Sequence, residues 1–222
     1  MPGSHQGTAS AIAAHIRSQP GVPPTGRTAT GLSGGVRIGR SVGSVAVSGL
    51  GRIGIRRADE ADAEVIAHIH MTSRVATMPY LPPQRRSHDQ VTRWIEEVLR
   101  TSHTWVAVRD AEVLGYAALA GDTLEHLYLR PDVRRQGIGT LLLDEVRRHS
   151  PDGISLYVFQ ANTDARAFYE RHGFKVVDES DGHQNMENLP DLTLRWTPDD
   201  SAERQALRTS GHGGGSGRSG LG

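Results

Sequence analysis

The sequence predicts an α+β fold built on a mixed, mostly antiparallel sheet. Three observations carry this. Two β-rich runs, "TWVAV" and "VLGYAALA", flank the polar stretch "RDAE", as in an antiparallel hairpin. A further strand, "LEHLYL", leads into the amphipathic "GIGTLLLDEVRRH" and then the almost wholly apolar "ISLYVF", the pattern of a crossover helix feeding a strand buried on both faces. The predicted order, β, α, α, β, β, β, α, β, α, β, β, lacks the strict alternation of a parallel α/β sheet.

"RIGIRRAD" opens the domain as a short strand. Asp59 can cap the next helix, which carries Val65, Ile66 and Ile69. "MPYLPP" breaks the chain. In "SHDQVTRWIEEVLR", Ser87 and Gln90 have capping-box spacing, and Val91, Trp94, Ile95, Val98 and Leu99 form one apolar face. After the hairpin and "LEHLYL", the next helix directs Ile138, Leu141, Leu142 and Val146 inward. "NTDARAFYERHG" is a short helix with Ala165, Phe168, Tyr169 and His172 on one face, ended by Gly173. "FKVV" and "LTLRW" close the sheet.

Composition sets limits on function. The 222 residues balance 25 basic against 25 acidic side chains, so net charge draws the chain to neither nucleic acid nor membrane. The absence of cysteine excludes disulfides, cysteine-ligated zinc and a cysteine nucleophile. The eleven histidines fall in no metal-ligand spacing, so no metal is expected. No apolar run reaches the ~18 residues of a membrane span, and the N-terminus lacks the core of a secretory signal. A soluble, cytoplasmic protein is expected. Lys175 is the sole lysine beside many arginines, a bias that points to a GC-rich, bacterial coding sequence. Residues 1–51 are rich in Gly, Ser, Thr, Ala and Pro and free of acids; they are predicted to be a disordered basic extension. A nucleic-acid-binding arm and a transit peptide are the alternatives, although few aromatics and no packed basic cluster disfavour nucleic acid. The folded domain is predicted at 52–198, with a flexible Gly/Ser-rich tail at 199–222.

The chemistry concentrates in "RRQGIGT", where a strand hands over to a helix. A helix beginning near Gly137 presents free N–H groups at its positive end. Gly137 and Gly139 leave room for a ligand, and Arg134 and Arg135 add guanidinium donors suited to phosphate. A Walker A loop is disfavoured because no lysine is near, and a Rossmann fingerprint because its third glycine position holds Leu142 and the turn follows antiparallel-looking strands. The hexapeptide alone also fits a Gly-rich turn with solvated arginines.

The turn and its surroundings resemble the GCN5-related N-acetyltransferase (GNAT) family. Arg134-Arg135-Gln136-Gly137-Ile138-Gly139 resembles the family's Q/R-x-x-G-x-G/A signature. "HLYLRPDVRRQGIGTLLL" is similar to its fourth strand, phosphate turn and third helix, "SLYVFQANTDARAFYERHGF" to its fifth strand, fourth helix and following strand, and "GIRRADEAD" and "WVAVRDAEVLGYAAL" to its opening strand and hairpin. The resemblance implies a GNAT-type sheet with helices on both faces, and direct transfer of an acetyl group from acetyl-CoA to a primary amine of a small molecule or peptide. It implies pantetheine pairing along Leu127, Tyr128 and Leu129, and pyrophosphate binding by Arg134, Arg135, Gln136, Gly137, Ile138, Gly139 and Thr140. Asn162 matches a pantetheine contact; as plain chemistry it is also an N-cap. Tyr169 matches the tyrosine that protonates the departing thiolate, and is otherwise a core aromatic. Glu125 is the candidate base, with His126 expected on the opposite sheet face because side chains alternate.

The resemblance places "VDESDGHQNMENLPDL" beside the acceptor cleft, with "MPYLPP" on the opposite wall. The first segment holds Asp178, Glu179, Asp181, Glu187 and Asp191 without Arg or Lys, which favours a cationic acceptor. Asp181, Asn185 and Glu187 are the candidate acceptor-binding residues; a solvated hairpin is the alternative. A non-catalytic CoA-binding sensor fits the same turn, and a homodimer is among the assemblies the sequence admits.

Overall fold

A computed structural model describes residues 51–183 and 185–198. The predicted extension, apart from Gly51, and the predicted tail lie outside the described residues. The elements run β1 (Gly54–Arg57), α1 (Ala63–Thr77), α2 (His88–Thr101), β2 (His103–Arg109), β3 (Glu112–Ala120), β4 (Thr123–Leu129), α3 (Ile138–His149), β5 (Ile154–Phe159), α4 (Thr163–Arg171), β6 (Lys175–Ser180) and β7 (Asp191–Trp196). This is the order the sequence predicts.

The local signals act as expected, with two differences. Ser87 and Gln90 form a reciprocal capping box at the start of α2. Asp110 and Ala111 both take positive φ, which matches the twist a two-residue hairpin turn needs between β2 and β3. Asp59 caps a short 3-10 turn at Glu60–Asp62 and only through it α1. Its box partner Asp62 is also held by two 2.7 Å hydrogen bonds from Arg56. On α3 the inward face is Ile138, Leu142, Leu143 and Val146, while Leu141 is 40% exposed. Helical rotation carries the i, i+4 series 138–142–146 to the sheet and turns Leu141 away from it.

The seven strands are ordered β1-β2-β3-β4-β5-β7-β6. Every pair is antiparallel except β4–β5, which α3 joins as a crossover. One core, including Trp105, Leu127, Leu129, Leu142, Phe168 and Tyr169, lies between the sheet and α3 and α4. The other, including Ile66, Ile69, Ile95, Tyr116, Tyr128 and Phe159, lies beneath α1 and α2. β6 forms the outer edge and begins with the exposed Lys175.

The second core contains ionisable rings. His70 of α1 is 2.9 Å from the Tyr116 hydroxyl through Nδ1 and lies 6.0 Å, between ring centroids, from His126 of β4. Trp94 closes over both histidines at 5.0 and 5.1 Å. Both ring nitrogens of His126 are buried with no protein partner. Burial pushes the His126 pKa down to about 3, and burial, then His126 itself, lowers that of His70 well below its ordinary value.

A lowered folded-state pKa means that unfolding takes up protons between that pKa and the unfolded value near 6.5. Stability is therefore full above about pH 6.5 and falls as pH drops. His126 alone contributes a slope approaching about 1.4 kcal/mol per pH unit between pH 6.5 and 4.5, and His70 adds to it in the same direction. Replacing His126 with phenylalanine is expected to lower the slope by about that amount in urea titrations. An unaltered slope in a folded variant would show that His126 is not a source of the acid limb.

Candidate active site

The site follows from how β4 and β5 part. These parallel strands share one registered pair, Thr123 with Ser155, at their N-terminal ends. Beyond it they diverge, leaving the β4 edge at Leu127–Leu129 unpaired toward β5. Leu127 and Leu129 pack on the α3–α4 side, whereas Tyr128 packs on the α1–α2 side.

Beyond β4 the backbone builds an anion cradle. Arg135 and Gly137 take φ of 61° and 80°. Gly137 is the left-handed N-cap of α3, which has no side-chain cap. The helix bonding starts with Leu141 N–H donating to the Gly137 carbonyl at 3.1 Å, leaving the preceding amides open. A Cβ added at Gly137 would meet no protein atom within 4 Å, so the approach is clear. Arg134 brings in a guanidinium whose Nη1 is buried without a partner. Burial lowers its pKa, with Asp164 of α4 acting in the other direction. Gln136 is held by Arg109 at 3.1 Å, which anchors the turn to the hairpin.

This cradle is the floor of a cleft of about 470 Å³ between α3 and α4. His172 braces its two walls. Its Nδ1 lies 2.8 Å from the Phe168 carbonyl and must donate there, so in the neutral ring Nε2 accepts from the Thr140 hydroxyl at 3.0 Å.

At the start of α4, Asn162 has two faces. Its Oδ1 accepts from Ala165 N–H at 3.1 Å as an N-cap, and its buried Nδ2 has no partner. Tyr169 is fully buried, wedged edge-on between Phe168 and Phe174, each at 5.3 Å. Its hydroxyl also lacks a partner, and burial, with a smaller contribution from Tyr128, holds its pKa far above 10. The phenol thus stays protonated and able to donate. Three buried polar groups are left over here, Arg134 Nη1 in the cleft lining and Asn162 Nδ2 and Tyr169 Oη at α4, and unpaired buried polar atoms are costly enough to need a purpose.

Glu125 departs from the alternation expected of it. The β3–β4 register shifts between Ala118, paired with His126, and Leu119, paired with Leu124, so Glu125 is an extra, bulged residue. Its carboxylate accepts from Ser102 Oγ, just after α2, at 3.2 Å, while His126 contacts His70 and Trp94. Both side chains therefore turn to the α1–α2 side. Burial raises the Glu125 pKa, and the Ser102 hydroxyl partly offsets this.

The β6–β7 loop separates its three candidates. Asp181 is exposed, beside His183 at 3.4 Å. Asn185 spends its amide on the loop, donating to the Leu189 carbonyl at 2.7 Å and Asp191 at 2.8 Å and accepting from Leu189 N–H at 3.2 Å. Gly182, at φ 97°, lies so close to Leu189 that an added Cβ would come within 2.4 Å of its backbone. Glu187 alone of the three crosses to the opposite wall, where Arg74 of α1 donates to it at 3.1 Å. Sequence reasoning missed Arg74; its one signal was a cation in the last turn of α1. Tyr80 of "MPYLPP" lies 6.1 Å from Phe159, and its hydroxyl is buried without a partner.

Asn185→Ala deletes three hydrogen bonds at once and is expected to cost about 2 kcal/mol in denaturant unfolding. It should also speed proteolysis between residues 181 and 190. Unchanged stability and cleavage would show that the loop keeps its shape by other means.

The comparisons with known proteins agree with this geometry. The Acetyltransferase (GNAT) domain profile matches residues 100–176. The peptidyl-lysine N-acetyltransferase YjaB of Salmonella typhimurium is 34% identical over 143 residues, covering 64% of this chain and 97% of the relative. The solution structure of apo YjaB from Escherichia coli superposes with a TM-score of 0.55 at 27% identity, covering 65% of this chain and 97% of that one. The fold also matches yncA of Salmonella typhimurium, a putative acetyltransferase solved with acetyl-CoA, with a TM-score of 0.52 at 23% identity, covering 65% and 93% of the two chains. Among the described residues no helix is long and apolar enough to cross a membrane, and no cluster of three metal-ligating side chains occurs. The opened β4–β5 pair, the uncapped α3 turn and these similarities make the chain a member of the GCN5-related N-acetyltransferase family.

Proposed function

We propose that the protein acetylates the side-chain amine of lysine in peptides or proteins, with acetyl-CoA as the donor and residues 52–198 as the catalytic unit. The observation that carries this is the uncapped start of α3 lining the cleft together with Arg134, whose Nη1 is buried without a partner, and the unpartnered buried Asn162 Nδ2 and Tyr169 Oη at the start and in the body of α4. Acetyl-CoA is a diphosphate, then an amide-bearing arm, then a thioester, and each part meets the group it needs. Arg134, Arg135 and Gln136 with the Gly137–Thr140 amides hold the diphosphate. Leu127, Tyr128 and Leu129 offer the free strand edge and Asn162 Nδ2 a donor to the arm. Tyr169 stands at the sulfur. The lysine acceptor is favoured by the relatives with peptidyl-lysine activity and by the acidic β6–β7 loop. The bacterial relatives and the absence of a membrane-spanning helix among the described residues favour a cytoplasmic bacterial enzyme.

In the transfer, the neutral amine forms a C–N bond to the acetyl carbon as the C–S bond breaks. Tyr169 gives its proton to the leaving thiolate. The proton released by the amine passes to Glu125, whose burial-raised pKa makes it a stronger base than a solvated carboxylate, and returns through solvent. The sum is one amide and one free thiol.

The reading is tested by thiol release from acetyl-CoA with lysine peptides, free amino acids and small amines. Lysine peptides are expected to give the highest kcat/KM. Acceptance of small amines alone would overturn the peptide acceptor. Tight acetyl-CoA binding without thiol release from any amine would favour the sensor reading.

Two substitutions test the roles. Tyr169→Phe is expected to lower kcat by about 10²-fold or more while leaving acetyl-CoA affinity nearly intact. Equal kcat, with chemistry shown to limit turnover, would remove Tyr169 from the acid role. Arg134→Met removes a half-buried cation with an unpartnered nitrogen, so it should weaken acetyl-CoA binding by about tenfold or more while leaving the free protein as stable or more stable. Undiminished affinity would move the diphosphate elsewhere.

A further inference from the structure

Of the carboxylates on the β6–β7 loop, Asp181 is 72% exposed beside His183, and Asp191 is fully buried and bound by Asn185. Glu187 is different. Its side chain is 15% exposed and reaches Arg74, 16% exposed, on α1. This ion pair joins two elements 113 residues apart in sequence. It also sits among the phenols of the acceptor side: Arg74 acts on Tyr80 and on Tyr128, and Glu187 acts on Tyr128. Leu189 of the same loop and Tyr80 pack on the core that holds Tyr128 and Phe159. The pair therefore belongs to the α1–α2 side of the sheet, with Tyr128.

The pair's neighbours in sequence include two exposed apolar residues. Val75 follows Arg74 in the chain and is 72% exposed; Met186 precedes Glu187 and is 71% exposed. These are the two most exposed large apolar side chains among the described residues. Exposed apolar residues next in sequence to both members of a partly buried ion pair suit a polypeptide partner, whose charged side chain has neighbours of its own to place.

We propose that Glu187 is the receptor for the acceptor's ammonium group, which docks there and releases one proton to solvent before it attacks as the neutral amine, and that Arg74 is a tethered placeholder which the acceptor displaces. The inference rests on the peptidyl-lysine reading above and adds the residues that select and admit the lysine. The chemistry is an exchange of one cation for another at the same carboxylate. A guanidinium on a flexible stem already occupies the position an incoming ammonium would take. When the acceptor arrives, Arg74 swings to solvent and Glu187 keeps its charge compensated, so the buried carboxylate is never left bare. An acceptor without a cation gains nothing by the exchange and is refused. Arg74 thus sets a threshold for entry, and its removal should improve apparent acceptor affinity.

The test uses the full chain, saturating acetyl-CoA and a lysine peptide, and reads KM for the peptide. Arg74→Met, which keeps the aliphatic stem, is expected to lower KM about fivefold, the scale of a partly exposed ion pair. Glu187→Gln is expected to raise it about tenfold. In the double variant the Arg74→Met gain should vanish, since there is no carboxylate left to vacate. Acetyl-CoA affinity in each variant reports whether the fold is retained, and Arg74→Gln serves as a second neutral variant. An unchanged or raised KM in the Arg74 variants with acetyl-CoA affinity retained would overturn the placeholder, as would a gain that persists without Glu187. The two readings fail separately. Wild-type protein that ignores lysine peptides but uses a small cationic amine overturns the peptide acceptor, and the same variants assayed with that amine still decide the exchange by the sign of the KM change.

Discussion

The structure depends on a pairing that stops. β4 and β5 meet at Thr123 and Ser155 and then part. A parallel pair continued to its end would satisfy its own backbone and offer nothing to a ligand. The opening exists because each strand is held from its far side, β4 by β3 and β5 by β7, in registers of six pairs each. α3 bridges the two halves, and Tyr169 on one face and Tyr128 and Phe159 on the other are buried in the cores that flank the sheet. A sheet with a gap has spare hydrogen-bonding edges, and such edges are stable only while something else enforces their separation.

The same logic governs the side chains along the gap. Most buried polar groups in the domain are satisfied locally, as in the Asn185 loop or the Asp59–Asp62 box. Three that are not satisfied lie at the turn before α3 and at α4, where the chain would meet its cosubstrate. The protein accepts a local cost in the free state there, at Arg134, Asn162 and Tyr169, that bound ligand can repay. Others lie elsewhere, among them Ser73, Thr104 and His126, whose ring is unpartnered on the other side of the sheet, against Trp94 and His70, and the proposed chemistry makes no use of them.

Much of this was legible in the residues. Hydrophobic period, capping pairs and the hairpin stretch fixed element order, and the Arg134–Thr140 turn announced an anion site because glycines and a helix start are local in sequence. What could not be read was tertiary. The β4 bulge that brings Glu125 and His126 to one side is a property of the β3–β4 register, not of alternation. The Arg74–Glu187 pair spans 113 positions. Asn185 looked like a hydrogen-bonding residue for a substrate, and its amide is instead committed to the loop, a distinction that composition does not carry. Leu141 was drawn inward by a loosely counted helical face.

Lys175, exposed at the start of the outer strand, is the only lysine in the chain. Every other basic side chain is an arginine or a histidine, and neither offers a primary amine. Under the proposed activity the catalyst's own lysines are potential targets, since its surface is always present at high local concentration. In these 222 residues that side-chain hazard is confined to Lys175. The arginine-rich composition keeps the charge that solubility needs while leaving one lysine address for self-modification.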